Sequence, residues 1–246
     1  MRRTLAPVPG SVHFATMTSI RAIADGVYEY VLTLPPDDAG LVWRPGQFIS
    51  VECGKEDSGE PRLRSYSIAS SPGSGRIVLI IKLIPGGAAS TWFAGLSVGH
   101  ELRFTGPMGF FVNELQHADD AVYAATGTGI APVVPMVREL LARPGETGRV
   151  IVKWGLRTEA DLFWQDELGA LAHPRLDVTI HLSKPAGAWT GPRGRVTAPV
   201  LELLPQLAKP VFYLVGNGAM IRELKTELQA RGVDRKRQIR TESFFD

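Results

Sequence analysis

The sequence predicts two domains, a small antiparallel β-barrel followed by an α/β domain with a doubly wound parallel sheet. In the first part, about six short strands are separated by Gly- and Pro-rich turns, which is typical of a small barrel. After residue 120, apolar strands alternate with helices, which indicates a parallel sheet. Residues 113–120 are polar and aperiodic, so we expect a linker there and domains over 1–114 and 115–246.

Alternation of apolar and polar residues places the elements of the barrel. Its strands are predicted as a pair joined at Asp25-Gly26 over residues 11–34, then 48–53, a strand from Arg64, 77–84 and 101–105. One short helix is expected over 88–96.

Apolar runs place the elements of the second domain in the same way. Strands are predicted over 121–125, 150–154, 176–182, 211–215 and 237–243. Helices are predicted over 130–142, 161–172, 196–204 and 219–231.

The bulk composition limits the function classes. Of 246 residues, 44% are hydrophobic and 21% charged, which is ordinary for a globular protein. No apolar run approaches the roughly 20 residues of a membrane span, and no apolar core follows the basic N-terminus. A net charge of +2 is too small to argue for nucleic-acid binding. We therefore expect a cytoplasmic monomer with neither a membrane nor a nucleic acid as partner.

Cys53 is the single cysteine of the chain. It excludes an intrachain disulfide and a built-in iron–sulfur cluster, which needs about four ligands. The five histidines show no metal-binding spacing, so no metal site is predicted. Redox chemistry would have to rest on an organic cofactor.

The stretch from Arg64 to Ser67 brings a cation, an aromatic ring and two hydroxyls together on one strand. An arginine beside a planar ring suits a ligand that has both a phosphate and an aromatic system. The motif continues to Ser70, and an apolar strand, Gly86-Gly87-Ala88-Ala89-Ser90 and Gly106-Pro107-Met108-Gly109 follow in order. This series resembles the flavin-binding half of the ferredoxin–NADP+ reductase family.

The resemblance implies a bound flavin, with FAD favoured over FMN because the motifs include a pyrophosphate site. Arg64, Ser90 and the amides of residues 88–90 would hold the pyrophosphate. Tyr66 would pack against the isoalloxazine or ribityl part, and Ser67 would lie near flavin N5. The full implied set is Arg64, Ser65, Tyr66, Ser67, Ile81, Lys82, Leu83, Gly87, Ala88, Ala89 and Ser90.

A glycine-rich turn follows the first predicted strand of the second domain. It reads Thr126-Gly127-Thr128-Gly129-Ile130-Ala131-Pro132, with the proline in the first turn of the next helix. A helix start of this kind can receive a dinucleotide pyrophosphate. Pro132 departs from the common dinucleotide fingerprint but matches the Gly-x-Gly-x-Ala-Pro of the reductase family.

A second nucleotide motif, Val215-Gly216-Asn217-Gly218-Ala219-Met220, resembles the family's Cys-Gly-x-Pro-x-Met. Val215 replaces the cysteine that faces the nicotinamide in the family, so we expect weaker positioning of the ring and slower hydride transfer. The residues implied in nucleotide binding by the two motifs are Thr128, Gly129, Gly216, Asn217 and Met220.

The type of nicotinamide depends on the loops after the second and third strands. A ribose-binding acid would indicate NADH, but residues 155–158 hold none. Ser183-Lys184 resembles the Ser-Arg pair that many relatives place on the 2′-phosphate, with Arg157 or Arg193 as a further cation. We predict NADP, with NAD as the alternative; these charges could also be ordinary exposed loop residues.

The chain ends in Thr241-Glu242-Ser243-Phe244-Phe245-Asp246, which resembles the Glu-x-aromatic tail of the family. The resemblance implies that Glu242 lies near the nicotinamide and that Phe244 covers the flavin. Together with Ser67 they are the candidate catalytic residues. Packing of the two tail rings on the core is the alternative.

The sequence therefore predicts an oxidoreductase that passes electrons between NADPH and a separate ferredoxin or flavodoxin through bound FAD. Alternatives are the reductase component of an oxygenase, a flavin reductase that releases its flavin, and a non-catalytic flavin- or nucleotide-sensing subunit. A group of cations near the C-terminus is a solvated edge or a docking surface for an acidic carrier. The group comprises Arg231, Arg235, Lys236, Arg237 and Arg240.

Overall fold

A computed structural model describes residues 11–38, 40–116 and 118–245. It divides into two compact units between Val112 and Asn113. The first unit ends at Val112 and the second begins at Asn113.

The first unit is built on six antiparallel strands. They are β1 (Val12–Ala24), β2 (Val27–Thr33), β3 (Phe48–Lys55), β4 (Pro61–Ser67), β5 (Arg76–Lys82) and β6 (Glu101–Met108). Their order in the sheet is β4-β3-β6-β1-β2-β5. Just after β4, the amide of Ala69 donates to the carbonyl of Val78 on β5 at 2.8 Å. This bond joins the two edges of the sheet, so the predicted antiparallel barrel is confirmed.

Alternating side chains fill the barrel, because successive residues of a strand point to opposite faces. On β3, Ile49, Val51 and Cys53 have no exposed surface, while the residues between them are partly exposed. Helix α1 (Ala88–Ala94) adds Phe93 to this core. The hydroxyl of Tyr30 donates to the carbonyl of Phe93 at 3.3 Å, and the two rings are 5.0 Å apart. These contacts fix the position of α1 on the barrel.

The second unit is built on five parallel strands. They are β7 (Asp120–Thr126), β8 (Val150–Leu156), β9 (Leu176–Leu182), β10 (Pro210–Asn217) and β11 (Ile239–Phe245). The order β11-β10-β7-β8-β9 reverses direction at β7, so the doubly wound sheet is confirmed. In such a sheet, ligands bind at the carboxyl ends of the strands where the order reverses, here beside β7 and β10.

Helices accompany the parallel strands. They are α2 (Ile130–Leu141), α3 (Gln165–Gly169), α4 (Thr197–Leu203), α5 (Gly218–Ala230) and α6 (Arg235–Gln238). Val196, Val200 and Leu224 pack with strand residues such as Phe212 in one buried cluster. None of the described helices combines the length and the apolar character that crossing a membrane would require.

Two predicted elements of the second unit are wrong in part. The helix predicted over 161–172 covers only Gln165–Gly169, because Trp164 adopts a left-handed conformation with φ of 52°. The final strand, predicted from residue 237, begins at Ile239. Before it, Asp234 caps α6 by accepting bonds from the amides of Lys236 and Arg237.

The predicted linker over 113–120 is also wrong at its first residue. Asn113 is 3% exposed, and its Nδ2 donates to the carbonyl of Met136 at 2.8 Å. Its Oδ1 accepts a bond from the hydroxyl of Tyr123 at 2.5 Å. Asn113 is therefore attached to the second unit. Although Asn113 is polar, it is buried, and its polar groups form hydrogen bonds with protein partners and not with water.

Candidate functional site

Arg64 lies on β4 with half of its side chain exposed. Its Nη1 donates to the carbonyl of Leu63 at 2.8 Å and lies 3.3 Å from Glu56 Oε1. The other oxygen of Glu56 pairs with Arg62 at 3.0 Å. Glu56, which the sequence did not single out, thus orients Arg64 at the surface, where its guanidinium can bind an anion. Ser65 is exposed on the same strand.

Tyr66 is half-buried and fixed from two sides. Its ring and that of Phe93 pack edge to face with centroids 5.1 Å apart, and its hydroxyl interacts with the thiol of Cys53. Burial raises the pKa of Tyr66 well above its ordinary value and raises the pKa of Cys53 to about 11. Both groups therefore stay neutral at physiological pH. Ser67, the next residue, is 8% exposed at the end of β4.

The turn before α1 has the geometry of a phosphate cradle. Gly86 has φ of +75°, and a side chain on Gly87 would approach the carbonyl of Ile84 to 3.2 Å. Ser90 Oγ accepts a bond from the amide of Ile84 at 2.8 Å, which folds the turn onto the helix start and leaves the hydroxyl proton to donate. The first amides of α1, at residues 88–90, lack helical partners, so the predicted residues Ala88, Ala89 and Ser90 suit a pyrophosphate.

Ile81, Lys82 and Leu83 belong to the barrel wall. The side chain of Ile81 is buried in the core. Lys82 Nζ donates to the carbonyl of Asp25 at 2.6 Å, and the amide of Leu83 donates to that of Gly26 at 2.8 Å. The side chain of Ile81 and the amide of Leu83 are therefore not available to a ligand.

In the second unit, the ends of β7 and β10 are joined closely. Thr126 Oγ1 accepts a bond from the amide of Asn217 at 2.8 Å. A side chain on Gly216, where φ is +113°, would lie 2.5 Å from the same oxygen. A side chain on Gly129 would lie 2.8 Å from the carbonyl of Val215. Only glycines permit this approach, and it brings the two nucleotide motifs together.

Two helix starts lie at these strand ends. The turn Gly127–Gly129, which contains Thr128, leads into α2, and its first carbonyl accepts a bond from Trp154 Nε1 at 2.9 Å. Asn217 caps α5 by accepting a bond from the amide of Met220 at 3.1 Å. Both starts present amides and a positive dipole end, which suits a dinucleotide pyrophosphate.

The tail residues lie at the same edge of this sheet. Glu242 on β11 is paired with Val215, and Ser243 is paired with Gly216. Glu242 and Phe244 are half-buried. The structure therefore groups Glu242, Phe244 and the second nucleotide motif; Asp246 lies outside the described residues.

Two cations meet where β8 and β9 end. The amide of Ser183 donates to the carbonyl of Leu156 at 3.0 Å, and that of Lys184 to the carbonyl of Arg157 at 2.8 Å. Arg157, Ser183 and Lys184 are exposed. Among the described residues, neither cationic side chain has a hydrogen bond or ion pair, so both can bind an anion. Arg193 instead donates to the carbonyl of Trp189 at 3.0 Å.

Sequence reasoning missed Glu159. Its Oε2 accepts a bond from the amide of Ala186 at 3.0 Å, and its Oε1 is buried without a partner among the described residues. The two residues are 27 positions apart. No local pattern signals this contact, because it depends on how β8 and β9 pair.

Comparison with known proteins identifies the family. Residues 15–112 match the oxidoreductase FAD-binding domain, and residues 124–226 match the oxidoreductase NAD-binding domain. Ferredoxin–NADP reductase B of Sorangium cellulosum (strain So ce56) is 37% identical over 175 residues, which are 70% of each chain. The chain belongs to the ferredoxin–NADP+ reductase family. It is a flavoprotein oxidoreductase with FAD and a nicotinamide dinucleotide as cofactors, so these two predictions are confirmed.

Other members of the reductase family are also similar. The reductase component of propane 2-monooxygenase from Rhodococcus jostii (strain RHA1) is 32% identical over 207 residues, which are 80% of this chain and 55% of that protein. The crystal structure of the Amycolatopsis cytochrome P450 reductase GcoB superposes with a TM-score of 0.84 at 26% identity. That match covers 97% of this chain and 72% of the other. The family thus includes reductases named for different acceptors.

Proposed function

We propose that this reductase passes electrons between NADPH and a separate ferredoxin or flavodoxin. Bound FAD would link the two-electron donor to a one-electron carrier, since a flavin can take a hydride from a nicotinamide and pass electrons on one at a time. The observation that carries the NADPH assignment is the pair of exposed cations Arg157 and Lys184. They are joined by a main-chain bond of 2.8 Å and have no anionic partner among the described residues.

The first unit would hold the flavin. Arg64, oriented by Glu56, binds the pyrophosphate together with the first amides of α1. Tyr66 stays neutral and fixed against Phe93, so it offers a rigid face to the ring system. The remaining residues proposed for this site are Ser65, Ser67, Ile81, Lys82, Leu83, Gly87, Ala88, Ala89 and Ser90.

The second unit would hold the nucleotide. The starts of α2 and α5 bind its pyrophosphate, and Lys184 with Arg157 and Ser183 binds the 2′-phosphate. Thr128, Gly129, Gly216, Asn217 and Met220 complete this site. We assign three residues to the reacting rings: the Ser67 hydroxyl near flavin N5, Glu242 beside the nicotinamide, and Phe244 over the flavin until the nucleotide displaces it.

The acceptor is proposed to be a separate carrier. With Cys53 as the single cysteine, these 246 residues cannot supply the ligands of an iron–sulfur cluster. The relative named ferredoxin–NADP reductase B supports ferredoxin as the carrier. A role as an oxygenase reductase component is the second candidate, and the relative named for propane 2-monooxygenase supports it.

The test is anaerobic mixing of FAD-loaded protein with NADPH or NADH, followed by addition of acceptor. Faster flavin bleaching by NADPH is expected, followed by reduction of a ferredoxin or flavodoxin. Flavin that stays bound on dilution distinguishes this enzyme from a flavin reductase. Bleaching without transfer to either carrier, but with transfer to an oxygenase, would favour the second candidate. No bleaching by either nucleotide would contradict both.

A further inference from the structure

The segment from Ser183 to Pro192, called the nucleotide loop here, follows β9 and carries Lys184. Hydrogen bonds within the loop fix its shape. The amide of Leu182 donates to the carbonyl of Pro192 at 3.1 Å, so the two ends of the loop meet. Trp189 Nε1 donates to the same carbonyl at 3.0 Å. Lys184 therefore sits in a closed loop whose position depends on what fastens it to the rest of the unit.

Two bonds fasten the nucleotide loop to the segment after β8. One is the main-chain bond from the amide of Lys184 to the carbonyl of Arg157, at 2.8 Å. The other joins the amide of Ala186 to the carboxylate of Glu159, at 3.0 Å. Glu159 is itself held in a short 3₁₀ turn that Thr158 and Asp161 close by reciprocal bonds. The nucleotide loop is thus attached at two residues, Lys184 and Ala186, which are separated by one residue.

The two oxygens of Glu159 lie in different surroundings, because the bond from the amide of Ala186 to Oε2 is exposed to solvent. Oε1 is buried and has no partner in the described part of the chain. Removing a carboxylate oxygen from water without a replacement donor costs free energy. The packing that buries Oε1 holds the carboxylate in place, so that Oε2 meets the amide of Ala186.

We infer that Glu159 is a positioning residue that sets the choice between NADPH and NADH. By binding the amide of Ala186, it keeps Lys184 beside Arg157, where both can reach a 2′-phosphate. This inference rests on the proposed function, because it takes these cations as the 2′-phosphate site. The residue that favours NADPH over NADH is then acidic, although its negative charge by itself would repel the 2′-phosphate.

Glu159 has two opposing effects on a bound 2′-phosphate. Its hydrogen bond to the amide of Ala186, called the anchor here, favours binding, while its negative charge disfavours it, and the two can be separated by substitution. Glu159→Gln keeps an oxygen that can accept from Ala186 and removes only the charge. Glu159→Ala removes both. If the anchor matters most, the alanine variant loses affinity for a 2′-phosphate while the glutamine variant does not. If the charge matters most, both variants gain affinity.

The experiment uses the FAD-loaded chain and two probes, 2′-phospho-AMP and AMP, with affinity measured by calorimetry. We expect Glu159→Ala to bind 2′-phospho-AMP about tenfold more weakly, in line with the loss of one hydrogen bond to a charged group. Glu159→Gln should bind it at least as tightly as the parent. Affinity for AMP should be unchanged in both. Tighter binding of 2′-phospho-AMP by both variants, or an equal loss for both probes, would overturn the proposal.

Hydrogen exchange of the Ala186 amide provides a readout that needs no nucleotide. It should exchange about tenfold faster in Glu159→Ala and at the parent rate in Glu159→Gln. Glu202→Ala, on an exposed residue of α4, is the matched control and should change neither measurement. Unchanged exchange in Glu159→Ala would refute the anchor. Faster exchange, with a parent protein that does not prefer 2′-phospho-AMP over AMP, would refute the NADPH assignment instead.

Discussion

Arg64 is attractive as a phosphate ligand because it is exposed yet oriented. An exposed arginine usually spends much of its time in several rotamers, and ordering it on binding costs entropy. Here the Glu56 carboxylate, itself shared with Arg62, holds the guanidinium before any ligand arrives. Preorganisation of this kind lowers the entropic cost of binding an anion.

Replacing Arg64 with alanine should therefore weaken flavin binding. A charge-assisted contact is worth about 1.5–3 kcal/mol, so the Kd for FAD should rise roughly 10- to 100-fold. The Kd is measured by fluorescence titration of apoprotein with FAD. Arg21→Ala is the control, because Arg21 is also exposed on a barrel strand and paired with a glutamate. An unchanged Kd in Arg64→Ala would remove Arg64 from the site.

Lys184 should discriminate between the two nicotinamides. Because only NADPH carries a 2′-phosphate, Lys184→Ala should raise the KM for NADPH about tenfold or more and leave that for NADH nearly unchanged. Steady-state kinetics with each nucleotide provide the comparison. Lys209→Ala, at an exposed lysine before β10, is the control. Equal losses with both nucleotides would move the phosphate site elsewhere.

At the scale of elements, the junction of β7 and β10 depends on glycine. Gly216→Ala would force a left-handed residue to carry a side chain 2.5 Å from Thr126 Oγ1. Backbone strain alone costs about 1–3 kcal/mol, so urea unfolding should show a loss of at least that size. Gly187→Ala, where a side chain meets nothing within 4 Å, is the matched control. Equal stability of the two variants would contradict the close approach.

The pair of strands β8 and β9 should make stability depend on pH. His181 is 5% exposed, and neither ring nitrogen has a partner among the described residues. Burial, and then the charge of Lys153, lower its pKa below the ordinary 6.5. The unfolded chain then takes up the proton first as the pH falls, so the folded state loses stability below about pH 6.5 and none above it.

This dependence can be isolated by comparing variants. His181→Leu should lose less unfolding free energy between pH 7.5 and pH 5.5 than the parent does, as measured by urea titration at both values. His173→Gln, at an exposed histidine, should follow the parent profile. Parallel profiles for the parent and His181→Leu would show that His181 does not titrate differently in the folded state.

Elements with strong periodicity were predictable, and those set by distant contacts were not. Alternation of apolar and polar residues placed both β3 and β9, since this pattern alone is enough to define a strand. The left-handed Trp164 that shortens the third helix has no such signature. Asn113 looks like a solvated residue until Tyr123 and Met136 are brought beside it. Within the site, glycine motifs were recognisable, while Glu56 and Glu159 depend on partners found only after folding.

For the whole molecule, charge distribution matters more than the net charge of +2. The five C-terminal cations expected to form one group are not equivalent. Arg231 pairs with Glu227, and Arg240 is 22% exposed and pairs with Glu114 at 3.1 Å. Arg235, Lys236 and Arg237, on α6, remain exposed. A docking surface for an acidic carrier would thus centre on α6.

Reversing the charge of α6 should then slow reduction of an acidic ferredoxin. Arg235→Glu with Lys236→Glu should lower kcat/KM about tenfold at low salt, and the difference should shrink at high salt. Reduction of ferricyanide, a small acceptor, should be far less affected. Lys209→Glu tests whether charge elsewhere has the same effect. An unchanged kcat/KM for ferredoxin would place carrier docking away from α6.

The burial of Cys53 also determines how this protein can be labelled. Its thiol has no exposed surface, and its pKa of about 11 leaves almost no thiolate at neutral pH. Maleimide probes attack thiolates, so the native chain should remain unmodified. A pair of cysteines introduced at the surface, one on the barrel and one on the α/β unit, would then be the only reactive sites. Fluorescent or spin labels could follow the distance between the units during turnover without removing a native residue.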